Sequence, residues 1–421
     1  MAPRITDRRQ TGMPALSPLA PARFPDLPPL AGVKLATAHC GIRYQGRRDL
    51  MVAVLDPGTT VAGVFTRSLM PGAPVDWCRA CLKRGKARAI VVNSGNSNVF
   101  TGRAGRAVVE ETAKTMAKLV GADPREVYVA STGVIGDPPP ADKIIGALAP
   151  TTRAVSPSGW AEAAQAIMTT DTFAKGATQR AEIDGVAVTI NGFAKGSGMI
   201  APDMATMLAF VFTDASIPAK VLQDLVTQSN ERSFNSITVD GDTSTSDTVL
   251  LCATGKAKHK RVQHAGDPRL KSLRRALDAV MIDLAQQIVR DGEGAEKFVT
   301  IEVSGAATAR AARRVGLAVG NSPLVKTALA AGDANWGRIV MAVGKAGEKA
   351  VREKLAITVG GVRIAEKGGP VPGYDEAPVA KHMAGREVKI ALDLGVGKGR
   401  ATIWTCDLTH RYIDINGSYR S

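Results

Sequence analysis

Strand-like runs and helical repeats alternate along this chain, and that alternation sets the fold class. Ala89-Ile90-Val91-Val92 leads into Asn93-Ser94-Gly95-Asn96, and Val127-Tyr128-Val129-Ala130 leads into Ser131-Thr132-Gly133. Both read as short strands that end in Gly-rich turns. Between them Val108, Val109, Thr112, Met116, Leu119 and Val120 recur at helical spacing, closed by Gly121 and then Pro124. Ser156-Pro157 reads as a helix start, with the helix running through Trp160 and Ile167 and expiring near Thr169-Thr170-Asp171-Thr172. Val221, Leu222, Leu225 and Val226 mark another helix. The strongest runs from Leu270 to Val289, with Leu273, Leu277, Val280, Met281, Leu284 and Ile288 on one stripe and a stop at Gly292. The last hundred residues read as β-rich. There Val388, Ile390, Leu392 and Leu394 alternate, then turn through Gly395–Gly399 as a hairpin into Ile403 and Trp404. Helices interspersed with strands, some of them in adjacent hairpins, predict a layered α/β fold and not a purely parallel sheet. With 421 residues, two domains or one large sandwich is expected.

Composition narrows the function classes. An apolar fraction of 45 % with 22 % charged residues is ordinary globular usage and excludes wholesale disorder. The formal net charge of +15 invites a nucleic-acid reading, but aromatics at 4 % supply few stacking platforms. The densest basic cluster, Lys256, Lys258, Lys260, Arg261, Arg269, Lys271, Arg274 and Arg275, reads as a solvated loop and the outer face of the long helix. No stretch reaches the roughly 18–20 apolar residues that cross a bilayer. Residues 1–30 are rich in Pro and lack an apolar run, so they read as an extended, PPII-like arm and not as a secretory signal. A cytoplasmic location is expected. The five cysteines (Cys40, Cys78, Cys81, Cys252, Cys406) and five histidines (His39, His259, His264, His382, His410) are scattered. Cys78 and Cys81 form one CxxC without a second pair, so plain thiols are expected and no metal. Neither a metal site nor a Ser-His-Asp triad has a signal.

The chemistry sits in residues 192–212. A Gly-rich, Pro-containing loop delivers Thr206 to the first position of a very apolar strand. By composition alone this is a turn entering a core strand. Its wording, Lys195-Gly196-Ser197-Gly198-Met199-Ile200-Ala201-Pro202-Asp203-Met204-Ala205-Thr206-Met207-Leu208, closely resembles the autoprocessing segment of the ornithine acetyltransferase family. These are arginine-biosynthesis enzymes, often called glutamate N-acetyltransferases. The resemblance continues through Val92–Asn96, Ser131–Gly136, Met168–Thr172, Val239–Thr245, Asp291–Gly294, Gly332–Arg338 and Asp414–Tyr419, in family order from about residue 15 to the end. Asn96-Ser97-Asn98 departs from it, since the family more often has Ala between the two Asn.

The resemblance implies a layered α/β sandwich that is one folded unit of two chains after autoproteolysis at Ala205–Thr206. Residues 15–205 would form the alpha chain and 206–421 the beta chain. Thr206 would be the nucleophile, with its freed α-amine as general base. Such an amine titrates near about 7.7–8.0, which lets the chain manage without a catalytic His. The family's oxyanion donors fall on Thr132 and Gly133, and its substrate-binding positions on Thr172, Lys195, Thr206, Glu293, Asn416 and Ser421. Lys195 suits a carboxylate and Glu293 an amine. On sequence alone Thr132-Gly133 is a strand-end turn, and Glu293 a carboxylate on an exposed loop. The implied reaction is ping-pong acetyl transfer from N2-acetylornithine to glutamate, without cofactor or metal, with acetyl-CoA as a possible further donor. The family also implies pairing of cleaved protomers into an α2β2 assembly, with neither nucleic acid nor membrane as partner. An amide or peptide hydrolase of the same self-cleaving fold is the alternative reading.

Overall fold

The computed structural model describes residues 15–201 and 207–418. The chain begins with β1 (Val33–Ala38), β2 (Leu50–Leu55), β3 (Thr60–Phe65), α1 (Ala73–Leu82), β4 (Ala89–Asn96) and α2 (Gly102–Val120). Then come β5 (Val127–Val134), α3 (Ala141–Arg153), α4 (Trp160–Ala166), β6 (Lys175–Ile183) and β7 (Val186–Lys195). Beyond the 196–207 connection lie β8 (Leu208–Thr213), α5 (Ala219–Arg232), β9 (Thr248–Ala253), α6 (Lys271–Arg290) and β10 (Phe298–Ala306). Three helices follow, α7 (Ala309–Gly320), α8 (Pro323–Ala331) and α9 (Trp336–Gly344). The rest is β11 (Ala356–Val359), β12 (Val362–Glu366), β13 (Gly369–Pro370), α10 (Glu376–Met383), β14 (Glu387–Asp393), β15 (Gly399–Cys406) and α11 (His410–Ser418). None of the described helices is long and apolar enough to cross a membrane.

Two sheets, in orders β1-β2-β4-β5 and β3-β9-β8-β7-β6, pack face to face. Met51, Ile90, Val92 and Tyr128 of the first meet Phe193, Phe210, Phe212 and Leu250 of the second. The Trp160 ring of α4 closes this layer, edge-on to Phe212 with centroids 5.7 Å apart. On the outer side of the first sheet, Leu50, Val52 and Val91 pack against Val109 and Met116 of α2 and Leu148 of α3. On the outer side of the second, Ala209, Val211 and Leu251 pack against Leu222 and Leu225 of α5 and Leu277, Met281 and Leu284 of α6. The result is a helix–sheet–sheet–helix sandwich, the layered α/β fold expected. It also explains β8: a strand covered on both faces has no polar side to show, so its sequence is a continuous apolar run.

A third sheet, β13-β12-β11-β14-β10-β15, forms its own core with α7, α8, α9 and α10. The last hundred residues therefore contain four helices as well as strands, not the β-rich stretch expected. Nor do β14 and β15 form a hairpin. β10 lies between them, parallel to β14 and antiparallel to β15, so residues 394–398 cross over a strand. Alternation reveals strands but not their neighbours. Glycine makes the crossing possible: a Cβ on Gly399 would stand 2.2 Å from the carbonyl carbon of Thr308.

Three further expectations change. The Gly-rich segments at 93–96 and 131–133 are strand, paired in parallel from Asn93↔Ser131 to Asn96↔Val134. Their glycines serve close approach, not reversal, because a Cβ on Gly133 would lie 2.3 Å from the carbonyl carbon of Gly95. Ser156 forms an antiparallel bridge to Leu35, and the helix starts only at Trp160. Of the arm, residues 15–30 bury Leu19, Leu27 and Leu30 against the sandwich, and 1–14 lie outside the described residues. Apolar residues between the prolines were the overlooked signal.

The second sheet interleaves strands from both sides of the Ala205–Thr206 bond. β3, β6 and β7 precede it, whereas β8 and β9 follow it. β7 and β8 pair antiparallel from Ile190↔Thr213 to Lys195↔Leu208.

Gly399→Ala is expected to cost about 1–3 kcal/mol by forcing the crossing apart. Gly146→Ala, on an exposed turn of α3 where the added methyl meets nothing within 4 Å, should gain about 0.5–1 kcal/mol. Urea unfolding midpoints of the two variants check the contrast; equal midpoints would refute the crossing constraint.

Candidate functional site

The inner faces of the two sandwich sheets meet at strand ends, and charged groups are buried there. Thr132 lies near the end of the edge strand β5, and Lys195 ends β7 on the facing sheet. The Lys195 Nζ donates to the Thr132 hydroxyl oxygen at 3.2 Å, and both residues are sealed from solvent. This contact ties one sheet to the other.

Behind Lys195 lies a cluster of opposite charges. Asp171 Oδ1 accepts from the Lys175 ammonium at 2.7 Å and from the Gly196 N–H at 2.6 Å. Asp171 Oδ2 accepts from the Thr169 N–H at 3.0 Å and stands 3.9 Å from Lys195 Nζ. Lys175, fully buried, reaches Asp291 Oδ2 at 2.6 Å. Asp291 in turn accepts from the Thr172 N–H at 2.9 Å and from the Thr172 hydroxyl. With all four ionised, two lysines balance two aspartates, which is what makes their burial tolerable. Burial alone would push Asp171 up, but Lys175 and Lys195 outweigh it and hold the carboxyl well below its usual range. Asp291 has fewer cations near it, so burial prevails and lifts it to about 6 against the pull of Lys175. Burial likewise draws Lys195 below the usual lysine range, with Asp171 opposing.

A second cluster borders the same 195–198 segment. The Glu293 N–H donates to the Ser197 carbonyl at 2.9 Å, and Asn416 Nδ2 donates to Glu293 Oε2 at 2.8 Å. The Glu293 carboxylate lies against the backbone of Gly198, where a Cβ would come within 2.4 Å of Oε2. Glu293 is thus half-buried, not the exposed loop carboxylate that sequence alone suggested. The Thr170 and Ser197 hydroxyls meet at 2.7 Å and link the two clusters. Two more carboxylates grip the connection on either side of 202–206. Asp240 accepts from the Met199 N–H at 2.6 Å and the Ile200 N–H at 2.9 Å. Asp247 accepts from the Met207 N–H at 2.9 Å. Burial raises both carboxyls, most in Asp247.

Of the residues singled out in the sequence, Thr132 and Lys195 are in contact, and so are Glu293 and Asn416. Thr172 joins the first pair through Asp291, Lys175 and Asp171. Gly133 follows Thr132 on β5 with a φ of 128°, a strand residue and not the turn expected. Ala205, Thr206 and Ser421 lie outside the described residues. Lys175 and Asp247 were missed, and Asp240 was quoted only within the Val239–Thr245 motif, with no role. For Lys175 and Asp247 the only signal is a charge inside a segment that is otherwise core, and burial of a single residue is not legible in one sequence. Cys78 and Cys81 sit buried on α1; burial raises both thiols, that of Cys81 to about 11, and the Cys78 thiol donates to the Val129 carbonyl at 3.2 Å. No group of three or more His, Cys, Asp or Glu side chains among the described residues could hold a metal.

Lys175→Met strands two buried carboxylates and is expected to cost about 3–5 kcal/mol of stability. Lys195 still faces Asp171, so it is Asp291 that stays neutral in the folded protein and ionises on unfolding. The stability of the variant should fall as pH rises through the carboxylate range. Chemical denaturation between pH 4 and pH 8 checks it, and a loss below about 1 kcal/mol would remove the lysine from its central place.

Comparison with known proteins follows the same path. The arginine biosynthesis bifunctional protein ArgJ of Nitrobacter winogradskyi is 56 % identical over 414 residues, which are 97 % of this chain and 99 % of that protein. The protein of the same name from Bradyrhizobium diazoefficiens is 55 % identical over 410 residues, again 97 % and 99 % of the two chains. A crystal structure of the Bacillus halodurans arginine biosynthesis bifunctional protein ArgJ is 39 % identical, covering 49 % of this chain and 96 % of that one with a TM-score of 0.47. Residues 34–421 match the ArgJ family, and the chain belongs to it.

Proposed function

We propose that this protein is an acyltransferase of arginine biosynthesis that moves the acetyl group of N2-acetylornithine to glutamate. The observation that carries this reading is family membership across residues 34–421, with Thr132, Thr172, Lys195, Glu293 and Asn416 gathered around one connection. The relatives' name, a bifunctional protein of arginine biosynthesis, supports a second donor, acetyl-CoA, for the same acceptor. Exchange between two amides is nearly energy-neutral, so the transfer calls for no ATP.

The chain first cuts itself. The Thr206 hydroxyl attacks the Ala205 carbonyl, the peptide becomes an ester with release of the Thr206 amine, and water opens the ester. Residues 15–205 and 206–421 then act as alpha and beta chains of one fold, and two cleaved protomers pair as α2β2. The interleaved second sheet suits such a cut, since β7 and β8 remain joined by their ladder. In each turnover the Thr206 amine takes the proton of its own hydroxyl, whose oxygen attacks the acetyl carbonyl. The carbonyl oxygen becomes an oxyanion, received by the Thr132 hydroxyl and the Gly133 N–H. Its collapse breaks the C–N bond, ornithine departs with the proton, and the glutamate amine then takes the acetyl group from Thr206. Glu293 with Asn416 suits the ligand's amine, Lys195 and Thr172 suit its carboxylate end, and Ser421 completes the site.

Denaturing electrophoresis of the purified protein should show two pieces near half the chain, and Thr206→Ala a single uncut chain. Acetylornithine and glutamate should yield acetylglutamate. Free acetate in its place would favour the hydrolase reading, and an intact wild-type chain would sink both. Because the amine must be unprotonated, kcat should climb with pH through about 7.7–8.0; a flat profile from pH 6 to pH 9 counts against the amine as base.

A further inference from the structure

We propose that Lys195 is a positioning residue for Thr132, fixing the direction of its hydroxyl hydrogen and lending charge to the oxyanion site. This rests on the reading of Thr132 as an oxyanion donor and adds to it a role distinct from meeting a ligand carboxylate.

The argument begins with donors and acceptors. An ammonium has three hydrogens and no lone pair, so at 3.2 Å Lys195 can only donate to the Thr132 oxygen. That oxygen keeps its own hydrogen, which must point elsewhere. Thr132 is 1 % exposed, so no bulk water competes for it, and the hydroxyl hydrogen has no acceptor among the described residues. A hydroxyl alone in water rotates to suit its neighbours. This one is held with its acceptor lobe on Lys195 and its hydrogen directed away, ready to donate to charge that develops in front of it.

The charge comes from an asymmetry in the buried cluster. Among the described residues Lys175 takes both aspartates, at 2.7 Å and 2.6 Å, whereas Lys195 comes within 4 Å of one carboxylate, Asp171, at 3.9 Å. Asp171 is further occupied by the N–H groups of Gly196 and Thr169. The positive charge of Lys195 is therefore less closely neutralised than that of Lys175, with Glu293 and Asp247 farther off, and among the described residues its nearest polar partner is the Thr132 oxygen. In a sealed site such a charge, one atom removed from the donor, polarises the O–H bond and strengthens donation to an anion. The contact also joins β5 to β7, so the donor sits on two rigid strands and needs no rearrangement during reaction.

A double-mutant cycle tests this, with rates expressed per mole of cleaved protein. The variants are Lys195→Met, which keeps the stem and loses the donor, and Thr132→Val, which keeps the shape and loses the hydroxyl. Acetylornithine–glutamate exchange and the nitrophenol burst from p-nitrophenyl acetate are both followed. Lys195→Met should lower kcat and burst rate about a hundredfold, the worth of one oxyanion donor, and by less than about threefold once Thr132 is Val. Thr132→Ser, which retains the hydroxyl, should restore the full dependence on Lys195. Equal losses in both backgrounds, or a rise in KM with kcat unchanged, would overturn the proposal and leave Lys195 as a carboxylate anchor. A burst without exchange removes the acetyl-transfer reading while the cycle on the burst still judges the coupling. Absence of both removes both.

Wild type and Thr132→Val also suffice without altering the lysine. Lys195 faces Asp171, Lys175, Glu293 and Asp247, and the balance leaves it easier to deprotonate than a solvated lysine. The wild-type burst should fall at alkaline pH as Lys195 loses its proton, with a midpoint below the usual lysine range. The fall should vanish in Thr132→Val. An alkaline limb that persists in that variant refutes the coupling.

Discussion

A buried lysine between two aspartates organises this protein. Lys175 begins β6 inside the sandwich, with no access to water, and its ammonium must be met by carboxylates or cost several kcal/mol. Asp171 and Asp291 meet it, and each uses its remaining lone pairs on the backbone of a functional segment. Asp171 holds the N–H of Gly196 beside Lys195, and Asp291 holds Thr172. One ion cluster thereby sets the spacing of three segments distant in sequence: 169–172, 195–196 and 291–293. Hydrophobic packing brings these segments near each other, but it has no directional preference. Charge-assisted hydrogen bonds supply direction.

The proposed cut at Ala205–Thr206 would leave the sandwich around it whole. The β3-β9-β8-β7-β6 order places the two strands that follow the Ala205–Thr206 bond between strands that precede it, and their side chains fill both the inter-sheet core and the layer under α5 and α6. Separating the halves would expose Phe193, Phe210 and Phe212 and unpair two ladders, β3 with β9 and β7 with β8. No such penalty attends opening one peptide in the connection between β7 and β8.

Much of this was legible in the sequence, for identifiable reasons. The stripe of α6 and the apolar run of β8 are long patterns set by burial, and they appear where the spacing put them. Gly121 closes α2 in the left-handed conformation, as its position after the stripe required. Errors arose where one residue type serves two purposes. Gly95 and Gly133 read as turn residues, yet they allow two parallel strands to approach closely. Gly395–Gly399 read as a hairpin, yet it passes over β10, and no local pattern reports a strand inserted from ninety residues upstream. The family resemblance pointed to Thr132, Lys195, Glu293 and Asn416, which the fold gathers around one connection. It left Lys175 and Asp247 outside its motifs and gave Asp240 no role, since their part is to hold backbone or other charges.

Asp240 and Asp247 show why carboxylates, and not apolar side chains, were needed beside the connection between β7 and β8. β7 and β8 end their ladder at Lys195↔Leu208, so the amides beyond it have no strand to bond. Met199, Ile200 and Met207 carry N–H groups in a buried setting, where an unmet donor costs about 1–3 kcal/mol. A carboxylate can accept from two amides at once, which no hydroxyl or amide side chain does as strongly. Asp240 does so for Met199 and Ile200, and Asp247 serves Met207 from the other side. The burden is burial of two carboxyls whose pKa values rise in consequence. Apolar contacts would spare that burden but could not fix the path of a backbone lacking its ladder. Both carboxylates come from the single stretch that enters β9. The strand that pairs with β8 thus also brings in the residues that clasp the two ends of the connection before it.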